Sequence, residues 1–369
     1  MRTDKVIVDF SVVEEEWSKR VWPVSWSENN ILLFGRGARV HYKSLSANEA
    51  IGQLCKFRED QGNLRLIECA GKDYPNLVAV SSSNGHIQLW DLAAKKMVSK
   101  WSTKSTAAIQ WNGPILTVGG ERGSIRQFDT RVPDTTKMKE QAKKTMRHQS
   151  KISSLAWNID GKFLASGDES GQVHIWDPRL QNAPLEVGEM IQRRKKIQHV
   201  GVITALAWCP WHPKTLATGD SAPDGTGTIR IWNVNGSVSL NHPDRLELDA
   251  QITSLHYSPH CKELLSTHGP GKGAPERAPA NPNVNTSTDD SFVPSRIANS
   301  VVVHAFPSFR RIATMTGATA NIAGSVLSPN GQRVVLAIPQ ESKLKVWDVW
   351  GKRRELKRSS SMLSTCSIR

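Results

Sequence analysis

An all-β fold, a single seven-bladed propeller, is what this sequence predicts, and two observations carry it. Seven stretches alternate apolar and polar residues, end on a large ring or an imidazole, and are in most cases followed by Asp or Asn. They are Ala38-Arg-Val-His-Tyr42, His86-Ile-Gln-Leu-Trp-Asp91, Ser124-Ile-Arg-Gln-Phe-Asp129, Gln172-Val-His-Ile-Trp-Asp177, Thr228-Ile-Arg-Ile-Trp-Asn233, Ser300-Val-Val-Val-His304 and Lys343-Leu-Lys-Val-Trp-Asp348. Their terminal positions 42, 90, 128, 176, 232, 304 and 347 are spaced by 48, 38, 48, 56, 72 and 43 residues. The shortest spacings approach the WD-repeat period of roughly 40–45 residues, and the long ones imply insertions. A period-2 strand repeating at that interval cannot bury its apolar faces alone, so neighbouring units must stack into a ring. Seven blades occupy roughly 300 residues, which leaves the 369-residue chain room for a lead-in, loop insertions and a tail. Such a ring is a surface for holding other molecules. That argues against an enzyme.

Taken in order, residues 1–30 are a lead-in with a β-like run, Val6-Ile-Val-Asp-Phe10, that is expected to close the ring, followed by the acidic Glu14-Glu-Glu16. The propeller spans 31–350. Within it, residues 135–146 are charged and free of proline, and read as a helical excursion or a loop. The best-formed repeat runs from His148 to Asp177, where Ile152-Ser-Ser-Leu-Ala-Trp157, the turn Asn158-Ile-Asp-Gly161 and Phe163-Leu-Ala-Ser166 follow the WD pattern. His148 and Trp176 sit where that pattern has its buried, hydrogen-bonding pair, a structural role. A second insertion covers 178–200. A third, 269–296, carries Pro270, Pro275, Pro279, Pro282 and Pro294 among Gly, Asn, Ser and Thr. It has too little apolar surface to offset its ordering entropy and is expected to be disordered. Residues 351–369 form a basic, Ser-rich, flexible tail.

Composition narrows the function. Lys and Arg number 48 against 34 Asp and Glu, a net charge of +14, and the excess gathers in Lys137 to Arg147, Arg193-Arg-Lys-Lys196 and Lys352 to Arg358. Nucleic-acid binding is one reading of such runs. No aromatic residue interleaves with them, which argues against a base-stacking groove, and solvated loops or a nuclear-import signal account for them as well. The five cysteines, Cys55, Cys69, Cys209, Cys261 and Cys366, are odd in number and without paired spacing, so no disulfide framework is expected. The chain opens without a signal peptide and nowhere nears the 18 apolar residues of a membrane span. A soluble intracellular protein of nucleus and cytoplasm is the expectation. Cys209, His212, His256, His260 and Cys261 are metal-ligand types in no zinc spacing, so no metal is expected. Gly269-Pro-Gly-Lys-Gly273 lacks the ending and setting of a phosphate loop. No nucleophile, base and oxyanion donor assemble, and no cofactor or small-molecule substrate is called for.

Some local sequences are more specific than a propeller requires. Val202-Ile-Thr-Ala-Leu-Ala-Trp-Cys-Pro-Trp-His-Pro213, continuing through Leu216-Ala-Thr-Gly219 to Ile229-Arg-Ile-Trp-Asn-Val234, resembles the Fizzy / Fizzy-related family of anaphase-promoting complex co-activators. Asp249 to Gly269, with Ser258-Pro-His-Cys-Lys-Glu-Leu264, is similar to that family's next repeat, and Val24-Ser-Trp-Ser27 and Leu327-Ser-Pro-Asn-Gly331 fit as well. The similarity covers residues 6–350. The chain also stops at Ile368-Arg369, a dipeptide with which family members end and which docks on a tetratricopeptide-repeat subunit of the ligase. The isoleucine suits an apolar slot, and the guanidinium and carboxylate suit fixed polar groups.

The resemblance implies a substrate-recruiting activator that binds short degrons in partner proteins and catalyses nothing itself. For the destruction box, the family site lies at the side of the propeller between first and last blades, where two acids receive the degron's arginine. Asp9 matches the first acid, Glu341 the second, and Val8 the wall of the leucine pocket. For the KEN box on the top face, Gln251 matches a family glutamine, whereas Glu169 and Gly171 stand where the family has an Asn-x-Asn pair. Asn321 replaces an arginine. An amide for a cation and an added acid disfavour the KEN glutamate, so destruction-box recognition without ordinary KEN recognition is expected. The upstream C-box of the family is absent from this sequence, which speaks for a rival reading, a WD-repeat scaffold that binds partners but no degrons.

Overall fold

The computed structural model describes the backbone of the strand Arg2–Asp9 and residues 23–46, 50–146, 148–180, 183–191, 193–235, 245–272 and 295–350. Seven antiparallel sheets make it up, six of four strands and one of five. In five blades the strands run consecutively from the innermost outwards, and in the five-stranded fourth blade the last two are exchanged. The seventh is assembled from both ends of the chain: Gly324–Leu327, Arg333–Ile338 and Lys343–Asp348 are followed at the outer edge by Arg2–Asp9. Arg2 faces Asp348 in register and Asp9 faces Lys343. The β-like run near the start therefore closes the ring.

All seven ring-ended stretches are the third strands of their blades. Burial explains why they alternate while the second strands do not. The second strand Leu164–Asp168 is buried at every position, and Arg333–Ile338 at all but its first, because neighbouring blades cover both faces. Third strands, further from the axis, show the half-buried pattern of Ser124–Asp129. Outermost strands such as Lys96–Ser102 are largely exposed. The core thus lies between blades. Val24, Trp26, Leu32 and Phe34 of the first blade pack on Val335, Ala337 and Leu344 of the seventh, which seals the closure.

Two sequence expectations are corrected and one is resolved. Of the two readings of residues 135–146 the helical one holds for Thr135–Gln141, a helix capped by the Asp134 side chain, while Lys143–Met146 is the outer strand of the third blade. Met138 is buried beside Trp101, which holds the helix on the second and third blades. The 178–200 segment likewise supplies Arg194–Gln198, the fourth strand of the fourth blade, and Glu189–Ile191, a fifth. The proposed disordered insert begins too early, since Gly269 to Gly271 end the strand Glu263–Gly271. Residues 273–294 and the tail from 351 lie outside the described residues.

Candidate functional site

In every blade the inner strand starts at one end of the ring, so the turn joining the second and third strands returns to that same end. This upper face collects the candidate residues. Glu169 and Gly171 lie in the second turn of the fourth blade, between Leu164–Asp168 and Gln172–Trp176. Gln251 opens the inner strand Ala250–Tyr257 of the sixth, and Asn321 precedes the inner strand of the seventh. Glu341 ends the short turn of 3-10 helix Pro339–Glu341 between the second and third strands of the seventh blade. Asp9, at the upper end of the closing strand, is the register partner of Lys343, two residues beyond Glu341, and Val8 is the partner of Leu344. Two residues more than 300 positions apart thus share one edge of the closing blade.

Glu341 is already engaged within the fold. Its Oε1 accepts from the Thr319 N–H at 3.0 Å and from the Thr319 hydroxyl at 2.7 Å, and its Oε2 meets Lys345 Nζ at 2.9 Å. Lys345 also donates to the Gly317 carbonyl at 3.0 Å. Partial burial raises the Glu341 pKa, but hydrogen bonds from Thr319 and Lys345 outweigh it and hold the carboxyl below its usual range. Sequence reading missed both partners. Lys345 stood four residues on, a readable spacing, but Thr319 lies in a segment without strand periodicity.

The top-face residues have local roles as well. Glu169 bonds Lys151 Nζ at 2.7 Å. Gly171 has φ +83, and a Cβ there would strike the His199 carbonyl, so that turn requires glycine. The Gln251 side chain donates to the Ala222 carbonyl of the fifth blade at 3.3 Å. Asn321 packs on the Gly269 backbone of the sixth, its Oδ1 buried and without a hydrogen-bond partner among the described residues. These four residues are spread over three blades.

His148 and Trp176 belong to a buried relay in the fourth blade. Trp176 Nε1–H donates to Ser166 Oγ at 2.7 Å, the serine hydroxyl donates to His148 Nε2 at 2.7 Å, and His148 Nδ1–H donates to Asp168 at 2.8 Å. Burial disfavours the Asp168 carboxylate, yet hydrogen bonds from His148, Ser170 and the Gln172 N–H hold its pKa below the usual range. The fifth blade repeats the order with Trp232, Thr218 and His199 at 2.9 and 2.8 Å, and with Asp220 3.5 Å from His199. In the sixth, His268 and His304 take the Asp and Trp places around Ser266. Of the metal-ligand types, Cys209 is fully buried, His256 bonds Ser325 Oγ at 2.8 Å and His260 bonds the Asn330 carbonyl at 2.7 Å. Among the described residues no group of three His, Cys, Asp or Glu could hold a metal ion.

Fold and relays together define a WD-repeat propeller, and the WD domain, G-beta repeat family matches residues 140–177, the fourth blade. The chain is 29% identical over 337 residues to the anaphase-promoting complex subunit cdc20 of Dictyostelium discoideum, covering 90% of this chain and 58% of that protein. It is 27% identical to the B-type cell cycle switch protein ccs52B of Medicago truncatula and 25% identical to FIZZY-RELATED 3 of Arabidopsis thaliana, over 89% and 95% of this chain and 57% and 62% of theirs. The resemblance to the Fizzy family is borne out along nine tenths of the chain, which spans about three fifths of the length of these curated relatives. A solved chain in a crystal structure of the mitotic checkpoint complex has the same fold, with a TM-score of 0.74, 22% identity and 95% of each chain covered. Ile368 and Arg369 lie outside the described residues.

Proposed function

We propose that this propeller recruits degron-bearing proteins to the anaphase-promoting complex and activates it, in nucleus and cytoplasm, catalysing nothing itself. It raises ubiquitination by holding the substrate near the ligase, an effective-concentration gain. In this reading Asp9 and Glu341 receive the arginine of a destruction box, Val8 lines the pocket for its leucine, and Ile368 and Arg369 dock on a tetratricopeptide-repeat subunit. The observation that carries it is the shared upper edge of Asp9 and Glu341 on the closing blade. Two acids flanking one guanidinium make a sound recognition geometry. The names of the relatives support the pathway. A fluorescent destruction-box peptide should bind, and Asp9→Lys or Glu341→Lys should weaken it roughly ten- to a hundredfold, as for one lost charge-assisted contact plus repulsion. Equal binding by both variants would overturn the assignment. A KEN peptide should bind far more weakly, because Glu169, Gly171 and Asn321 offer it no cation.

One observation favours the scaffold reading. Lys345 and Thr319 already satisfy Glu341, so a degron arginine must displace or share with an internal cation. Recovery of ligase subunits on affinity purification separates the two readings: the activator brings them down and the scaffold does not.

A further inference from the structure

We infer that the central channel is a binding site for one basic side chain, an arginine guanidinium presented by a peptide at the lower mouth. Two cavities occupy the axis, of about 180 Å³ towards the upper face and about 600 Å³ towards the lower. Both are lined by Glu68, Gln110, Ser154, Leu155 and Thr204, which therefore form the waist between them. Glu68, Gln110 and Ser154 come from the inner strands of three successive blades, Leu64–Cys69, Ala108–Asn112 and Ile152–Trp157. Among the described residues none of these three side chains has a hydrogen-bond partner, although each faces the channel.

A carboxylate, an amide oxygen and a hydroxyl side by side offer several acceptors to one donor-rich cation. A guanidinium, planar with five N–H groups, uses them better than an ammonium. The two mouths differ. Arg65 and Lys151 stand at the upper rim, each ion-paired, with Glu121 and Glu169. The lower mouth is lined by Trp157 and Pro210, with Ile159 exposed beside them and the edges of the buried Trp26 and Trp208 behind, which suits the apolar stem of an arginine. Entry from below is the consistent route.

Burial alone pushes the Glu68 carboxyl up to about 8, so binding a cation requires the carboxyl to lose its proton. The other titratable groups nearby are Arg65, Lys151, Glu169, Glu28, Tyr257, whose hydroxyl burial pushes up, Cys69, whose thiol burial pushes up to about 12, and His256, which burial holds down at about 4. Between pH 6.5 and 8.5 neither the Cys69 thiol nor the His256 ring changes charge.

Isothermal titration of the full chain with N-acetyl-arginine amide tests this. Affinity should be in the millimolar range expected of a lone side chain, should rise roughly tenfold or more from pH 6.5 to 8.0, and should level off only about one pH unit higher. Glu68→Gln should weaken it at least tenfold and abolish the pH dependence, and Gln110→Leu should weaken it about threefold. Glu341→Gln should leave it unchanged, which separates the channel from the proposed degron edge. N-acetyl-citrulline amide, neutral and of the same shape, should not bind. Undiminished binding by a folded Glu68→Gln, equal binding of citrulline, or no binding at any pH in the range would overturn the proposal. Equal binding of N-acetyl-lysine amide would overturn the guanidinium assignment.

Discussion

Ser166 is the smallest member of the fourth-blade relay and the one on which its two rings converge. Its oxygen accepts from Trp176 while its proton goes to His148, and all three residues are buried. Ser166→Ala orphans two buried polar atoms, each costing about 1–3 kcal/mol. A loss of about 2–4 kcal/mol in chemical denaturation is expected, and a loss below 1 kcal/mol would mean that the relay adds little. His148 and Trp176 were legible because the repeat puts an imidazole and a terminal ring at set places around a strand–turn–strand unit. Glu341 was legible only through family likeness, and its partners were not. Thr319 reaches it from the loop before the last inner strand, and no local periodicity announces a contact made by a loop. Gly171 is the converse case. Its φ of +83 shows that a turn claims the position where a recognition side chain was sought.

Between elements, a small device recurs. The second strands of the third, fourth and fifth blades carry Gly119, Gly167 and Gly219 in their upper halves, and a Cβ at each would collide with Ile152, Ile203 or Ile252 on the inner strand of the next blade. The glycine lets a branched side chain reach the neighbouring backbone and sets how closely blades approach near the axis. Gly167→Ala should cost about 1–3 kcal/mol as an overpacked contact. Adding Ile203→Ala should then cost less than the sum of the two single changes, since each relieves the other; strict additivity would show that the contact is slack. Alternation made the third strands readable, because one face of each is less covered, whereas the second strands show as short apolar runs because neighbouring blades cover both faces. The outermost strands escaped. Lys143–Met146 and Arg194–Gln198 carry Lys143, Lys144, Arg194, Lys195 and Lys196, and of Arg194–Gln198 only Ile197 is buried, so charge replaces alternation and they read as loop. The closing strand was found because Val6-Ile-Val is apolar enough to be seen outside any repeat.

At the scale of the whole ring, buried titratable groups shape stability from both sides of neutrality. Burial lowers the pKa of His256 to about 4 and of His268 to about 3, with His304 adding to the lowering at His268, and it lowers His304 as well. Each is neutral when folded and takes a proton near pH 6.5 when unfolded. The unfolded chain therefore binds more protons below that pH, and stability falls as pH drops from about 6.5 towards 4, by up to about 1.4 kcal/mol per unit for each histidine. Asp168 and Asp220, with lowered pKa values, act in the same direction at still lower pH. Glu68 has the opposite sign. Its folded carboxyl, raised to about 8, stays protonated where the unfolded one has ionised, so it favours the fold most below pH 4.5 and progressively less up to about 8. Denaturation midpoints measured from pH 4 to 8.5 should fall on the acid side of a maximum because of the histidines. Glu68→Gln should flatten the alkaline limb and steepen the acid one, gaining up to about 1.4 kcal/mol over the wild type per unit between 4.5 and 8. If that gain does not grow with pH, Glu68 is hydrated and ordinary, and the channel waist is not the dry, cation-seeking site that its unpartnered side chains indicate.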